Sequence, residues 1–247
     1  MLRVCMFLCL GLLLFTTGCG LMQNTVKTYY NVTDSVFVAT NYFIHPEFED
    51  FKIRRVLIAP FSNETGFHNA QDTLEPIFIS EWIKVNRFEV IPSTGDARKQ
   101  LESFDIREKG TFYKMHLYDI AKRYNVDAVM FVALTSYSPY EPCRIGINAQ
   151  LIHTYSGVVV WGLNEIYDGS QRNVENLATQ YYYENVRFSH PLDDWEIMMI
   201  SIRYFTQMVA FDVGGTFKDY YVPPRLDKTI VNAVNLEKKI SAKPLFP

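Results

Sequence analysis

The chain has 247 residues, of which 48% are apolar and 21% charged, and it carries a formal net charge of −3 at pH 7. That length buries a sizeable core as one domain or two, and the composition is that of a globular protein rather than a disordered or fibrous one. A slightly negative balance with no Lys/Arg block argues against nucleic acid as a partner, because phosphate binding needs concentrated positive charge.

At the amino terminus, Arg3 precedes an apolar run over residues 4–15, "VCMFLCLGLLLF". A bilayer span needs roughly 20 apolar residues, so this run suits the h-region of a signal peptide instead. It closes on Thr16, Thr17 and Gly18 directly before Cys19. That ending resembles the bacterial lipobox, in which Leu, a small residue and Gly or Ala precede the cysteine; here Thr16 stands in the Leu place. The resemblance implies lipid on the Cys19 thiol, cleavage before Cys19 and acylation of the freed amine, so that residues 1–18 form a lipoprotein signal peptide. Gly20, rather than Asp, follows the cysteine, which by the same resemblance implies outer-membrane sorting with a periplasm-facing body. A plain signal peptide or a short anchor helix, with an incidental cysteine, is the competing reading. Cys5 and Cys9 lie in the leader, leaving Cys143 as a lone thiol with no intramolecular disulfide partner. It reads as a small buried hydrophobe, since no His or helix terminus adjoins it to activate the sulfur.

Residues 19–52 read as a tether, although "TVKTYYNVTDSVFVATNYF" is rich enough in β-branched and aromatic residues to pack on something. "IRRVLIAPF" predicts a strand covered on both faces, ended by Pro60. After the polar loop "SNETGFHNAQ", the segment "DTLEPIFISEWIKVN" predicts a helix with Leu74, Ile77, Phe78, Trp82 and Val85 on one side. "RFEVIPS" is a second strand, and residues 94–110 form a short helix and loop. "TFYKMHLYDIAKRYN" is a helix with Tyr113, Leu117, Ile120 and Tyr124 aligned, and "VDAVMFVALTSYSP" a third strand. In "CRIGINAQLIHTY", Ile145, Ile147, Ala149 and Leu151 alternate with Arg144, Asn148 and Gln150, the pattern of a half-exposed antiparallel strand. Ser156-Gly157 supplies a hairpin turn, and "VVVWGLNEIYDG" returns as the partner strand. Two helices follow, "VENLATQYYYENVRF" and a long one over residues 192–213, stopped by Gly214-Gly215. Residues 217–247 are a tail, with one more short helix over 227–240.

The order of parts carries a further resemblance. Ala59-Pro60-Phe61 with Asn63 and Gly66, Phe88-Glu89-Val90-Ile91, Asp127-Ala128-Val129, and Ser156-Gly157 with Trp161 occupy the places of four strand and hairpin signatures. These resemble the envelope family that includes the TolB amino-terminal domain, the curli-secretion lipoprotein CsgG and the penicillin-binding-protein activator LpoB. The match runs over residues 53–168. It implies an α/β docking module over 53–216, mixed sheet against helices with extra C-terminal helices, and no active site to carry over. No pair of long alternating segments beyond the core hairpin stands ready to form a membrane β-barrel.

Candidate chemistry is thin. Glu64 and His68 share a loop, but no HExxH or CxxC spacing completes a metal site, and turn chemistry accounts for the polarity. Asp193-Asp194 suits a helix start, where negative charge is favoured. His153 shares a strand face with Leu151 and Tyr155 and reads as a packed histidine, while His45, His116 and His190 have no partner visible in sequence. No phosphate-binding glycine loop or serine-hydrolase elbow occurs. No catalytic, cofactor or metal residue is therefore assigned. The helix at 192–213 is apolar almost all round: Trp195, Met198, Ile202, Phe205 and Val209 make one stripe, and Ile197, Ile200, Tyr204, Met208 and Phe211 another. It is either a central core helix or one whose second face, Tyr204, Met208 and Phe211, meets a partner or sister subunit. The sequence thus predicts a non-enzymatic binding or assembly module, anchored to the membrane through lipid on Cys19, for another envelope component. The alternatives are a ring-like structural homo-oligomer of a secretion or motility apparatus, and an envelope hydrolase built on Glu64 or Asp193.

Overall fold

A computed structural model describes residues 36–102, 114–189 and 194–217. Seven strands make one sheet: β1 (Tyr42–Ile44), β2 (Arg55–Ile58), β3 (Ser62–Asn63), β4 (Glu89–Pro92), β5 (Ala128–Ser138), β6 (Arg144–His153) and β7 (Val159–Asp168). Their order is β1-β7-β6-β5-β2-β4, with β3 also alongside β5. β2 runs parallel to β4 and β5, whereas β5, β6, β7 and β1 are successively antiparallel. The helices are α1 (Ala70–Val85), α2 (Gly95–Glu102), α3 (Lys114–Tyr124), α4 (Arg172–Tyr181), the single turn α5 (Ile197–Ile200) and α6 (Ile202–Gly215). This is the mixed α/β architecture the sequence predicts.

Burial explains why the strands are written differently. Val56 and Ile58 of β2 face a large core with Leu74, Phe78 and Trp82 of α1 and Phe205 and Val209 of α6. Leu57 and the adjoining Ala59 face a second core with Leu101 of α2 and Leu117 and Ile120 of α3. A strand covered on both sides must be apolar at every position. On β6 the predicted alternation holds: Ile145, Ile147, Ala149 and Leu151 are fully buried while Asn148 and Gln150 are half-exposed. Gly157, at φ 72°, supplies the left-handed turn position of the β6–β7 hairpin.

The signature residues of the sequence prove to be fasteners. Asn63 Oδ1 accepts from the Thr65 amide at 3.0 Å, and its Nδ2 donates to the Phe67 carbonyl at 2.7 Å, which closes the loop ahead of α1. Asp127 Oδ2 accepts from the Arg54 and Arg55 amides, both at 2.9 Å, and pins the start of β2 to β5. Trp161 lies 4.8 Å, ring to ring, from Phe217, which also meets Trp82 and Phe88. The two fully buried indoles keep partners, Trp161 donating to Thr216 Oγ1 at 3.1 Å and Trp82 to the Ala210 carbonyl at 3.2 Å. Gly214, expected to stop a helix, lies inside the last turn of α6, which runs through Gly215. A Cβ there would sit 2.6 Å from Val85 Cγ2, so its bareness lets α6 cross α1 closely.

Three expectations change. The helix foreseen over 192–213 is broken at Ser201, whose extended backbone (φ −104°, ψ 110°) separates α5 from α6. Ser201 takes the N-cap place, its carbonyl accepting from the Phe205 amide at 2.9 Å. Second, the body takes in part of the segment read as tether. Phe37 and Ala39 are buried, β1 pairs with β7, and Phe48 is buried in a short turn of 3-10 helix over Phe48–Phe51. Glu165 anchors this addition, its Oε1 accepting from the Thr40 and Asn41 amides, each at 2.6 Å. Third, Phe217 is buried, so the packed body runs one residue into the expected tail.

Candidate docking face

The residues proposed from sequence meet different fates. Cys19, His190 and Asp193 lie outside the described residues, as do the signal peptide and residues 218–247 of the tail. Met208 cannot belong to a partner surface: it is fully buried in the large core, where α6 packs on the sheet. Tyr204 is half-buried against that core, and Phe211 remains exposed, its ring 5.2 Å from Tyr181. Of the second apolar stripe, Ile200 and Phe211 are exposed and Tyr204 is half-buried. Glu64 and His68 are both exposed in the α1 loop, and no cluster of three metal-ligating side chains forms among the described residues. Cys143 is buried, and burial together with nearby Glu141 pushes its thiol up to about 11. His153 is packed as predicted. Its Nδ1 and Ser156 Oγ are hydrogen-bonded at 2.8 Å, Phe51 lies edge-on at 5.0 Å, and burial lowers its basicity against the opposing pull of Asp127.

The arrangement that sequence reasoning missed lies on the side of β6 and β7 turned away from the large core. There β1, β7 and β6 line a shallow concavity of about 340 Å³. Pairing register assembles it. Asn148 lies opposite Asn164, Gln150 opposite Gly162, and Gly162 opposite Phe43. Directly paired side chains on one sheet face are about 5 Å apart, and the next pair along the strand lies about 7 Å away. Asn148 and Gln150 are half-exposed, Asn164 is exposed, and the Phe43 ring is 49% exposed. None of the three side-chain carboxamides makes a hydrogen bond to a described residue, whereas Asn41 at the rim donates its Nδ2 to the Asn164 carbonyl at 2.8 Å. Among the described residues, no Asp, Glu, Lys, Arg or His lines the concavity. The one signal in sequence was the amides of Asn148, Gln150 and Asn164 on the open side of β6 and β7, with charge on that side only at the strand ends, where Arg144 pairs with Asp168; the strand pairing that adds Phe43 is not local.

No protein-family model matches the chain, and no curated protein matches it. Solved structures do. The PelC dodecamer from Paraburkholderia phytofirmans aligns at 16% identity over 48% of this chain and 73% of its own, with a TM-score of 0.36. Lipoprotein GNA1162 from Neisseria meningitidis aligns at 17% identity over 46% and 79%, with a TM-score of 0.34. The LpoB C-terminal domain from Salmonella enterica aligns at 16% identity over 46% and 81%, with a TM-score of 0.30. Among the described residues no helix is long and apolar enough to cross a membrane.

Proposed function

We propose that the chain is an outer-membrane lipoprotein whose periplasm-facing α/β body works by contact, as a non-enzymatic binding or assembly module for another envelope component. The observation that carries this reading is the apolar run closed by Thr16-Thr17-Gly18-Cys19. One acyl chain gives only marginal, reversible membrane binding, at about 0.8 kcal/mol per buried methylene, whereas more than one chain on the same cysteine gives stable anchoring. Attachment then confines the body to one surface and raises its effective concentration toward anything else held there. The strand and hairpin signatures support the α/β docking fold, in which Asn63, Asp127 and Trp161 fasten the loop, strands and helix together.

The test is fractionation of native cells combined with crosslinking. Wild-type chain should sediment with outer membranes and capture a discrete envelope protein, and Cys19→Ala should move to the soluble fraction. A Cys19→Ala chain that stays wholly with membranes contradicts the anchor. A second reading, a homo-oligomer seamed along α5–α6, is favoured by the exposure of Ile200 (52%) and Phe211 (40%). A strictly monomeric mass for the full chain in detergent at high concentration would remove it.

A further inference from the structure

The concavity on the open side of β6 and β7 has a chemistry narrower than a general contact surface. We infer that it is a binding site for a neutral glycan chain. This deepens the binding-module reading and rests on it.

Three features point the same way. A carboxamide offers two N–H donors and one carbonyl acceptor. Asn148, Gln150 and Asn164 therefore present donors and acceptors side by side, with no described residue using them. Their natural complement is a ligand whose groups also donate and accept at each position, as sugar hydroxyls and acetamido groups do. Among the described residues the lining holds no charged group, so neither an anionic nor a cationic ligand finds a counter-charge there. The half-exposed Phe43 ring stands across from Gly162, and the bare glycine leaves a notch beside it. An exposed aromatic ring beside a bare glycine gives the C–H face of a pyranose a place to stack, while its equatorial hydroxyls reach the amides. Binding sites of small ligands combine apolar walls with a few convergent polar groups in this way. A polypeptide strand would use the backbone edge of β1 instead, since β1 ends the sheet.

The test titrates the full chain in detergent, by calorimetry, with chitohexaose, cellohexaose and maltohexaose, and in parallel with an uncharged decapeptide. At least one oligosaccharide should bind with Kd in the range of about 10 μM to 1 mM. Asn148→Ala and Gln150→Ala should each weaken that binding roughly tenfold. Gly162→Leu should abolish it by filling the notch; a Cβ there meets its nearest neighbour at 3.6 Å, an ordinary contact, and an unchanged unfolding midpoint checks that the fold is kept. Absence of binding by all three sugars overturns the inference, as does binding that the substitutions leave unaltered, or binding by the decapeptide alone that they abolish. None of those failures touches the membrane anchor or a crosslinked protein partner, which the fractionation experiment reads separately.

Discussion

Strands β2 and β7 belong to one sheet but are written in different alphabets. β2 carries Val56, Leu57 and Ile58 in succession, all buried, because α1 and α6 cover one side and α2 and α3 the other. β7 carries Trp161, Leu163 and Tyr167 toward the large core, and Gly162, Asn164 and Ile166 away from it, with Asn164 and Ile166 exposed. The difference teaches where function has room to reside. A strand sealed on both sides has every position committed to packing, whereas a strand sealed on one side is free at every second residue. The concavity forms from those free positions.

Substitutions test that contrast directly, and the largest effect belongs on the sealed side. Ile147→Ala on β6 should lower stability by about 2–5 kcal/mol, read as a shift in denaturant midpoint, because a fully buried side chain leaves a cavity. The polar contact between the large core and β7 comes next. The Tyr167 hydroxyl donates to Asp212 at 2.7 Å in a buried setting. Tyr167→Phe should cost about 1–3 kcal/mol by withdrawing a donor from a buried carboxylate. If it proves neutral, this hydrogen bond adds nothing to the tie between β7 and α6.

Two pH effects sharpen the comparison further. Cys143, at the start of β6, has its thiol raised from 9.0 to about 11 by burial. The folded chain therefore holds this proton more tightly than the unfolded chain, so stability is complete below about pH 9 and declines between pH 9 and 11. Cys143→Ala should flatten that decline, and alkylation of the native thiol at pH 8 should be slow until the protein unfolds. His153, at the other end of β6, is shifted the opposite way, below its ordinary 6.5. Here the unfolded chain takes up the proton first, so the contribution of neutral His153 is present above pH 6.5 and is lost as pH falls below it. His153→Phe should reduce that acid-side slope. The smallest effect falls on the open side: Asn148→Ala should alter stability by no more than about 0.5 kcal/mol, since its side chain packs nothing the fold requires. A large loss there would mean that the open face is structural.

The same contrast explains how much the sequence disclosed. Continuous apolar runs and strict alternation announced β2, β5 and β6, because both patterns follow from covering. The hairpin was legible from Ser156-Gly157, a local requirement for a left-handed turn. Ser201 was not, because its flanks have helical periodicity and only the packing of Met198 and Phe205 into one core sets the break. Met208 was placed on a surface for a related reason. A helix apolar on two sides does not say which side the sheet, α1 and α4 enclose between them. The hollow was legible only as amides on β6 and β7, since the pairing that brings Phe43 opposite Gly162 spans more than a hundred residues. Tyr42–Ile44 is only three residues long, too short to show a period.

The central claim is the lipid anchor, and intact-mass and amino-terminal analysis of the chain recovered from native membranes tests it most directly. The account predicts a chain that begins at Cys19 and carries a thioether-linked diacylglycerol and an amide-linked acyl group. A chain that begins at Met1, or one with a free thiol at Cys19, would contradict it.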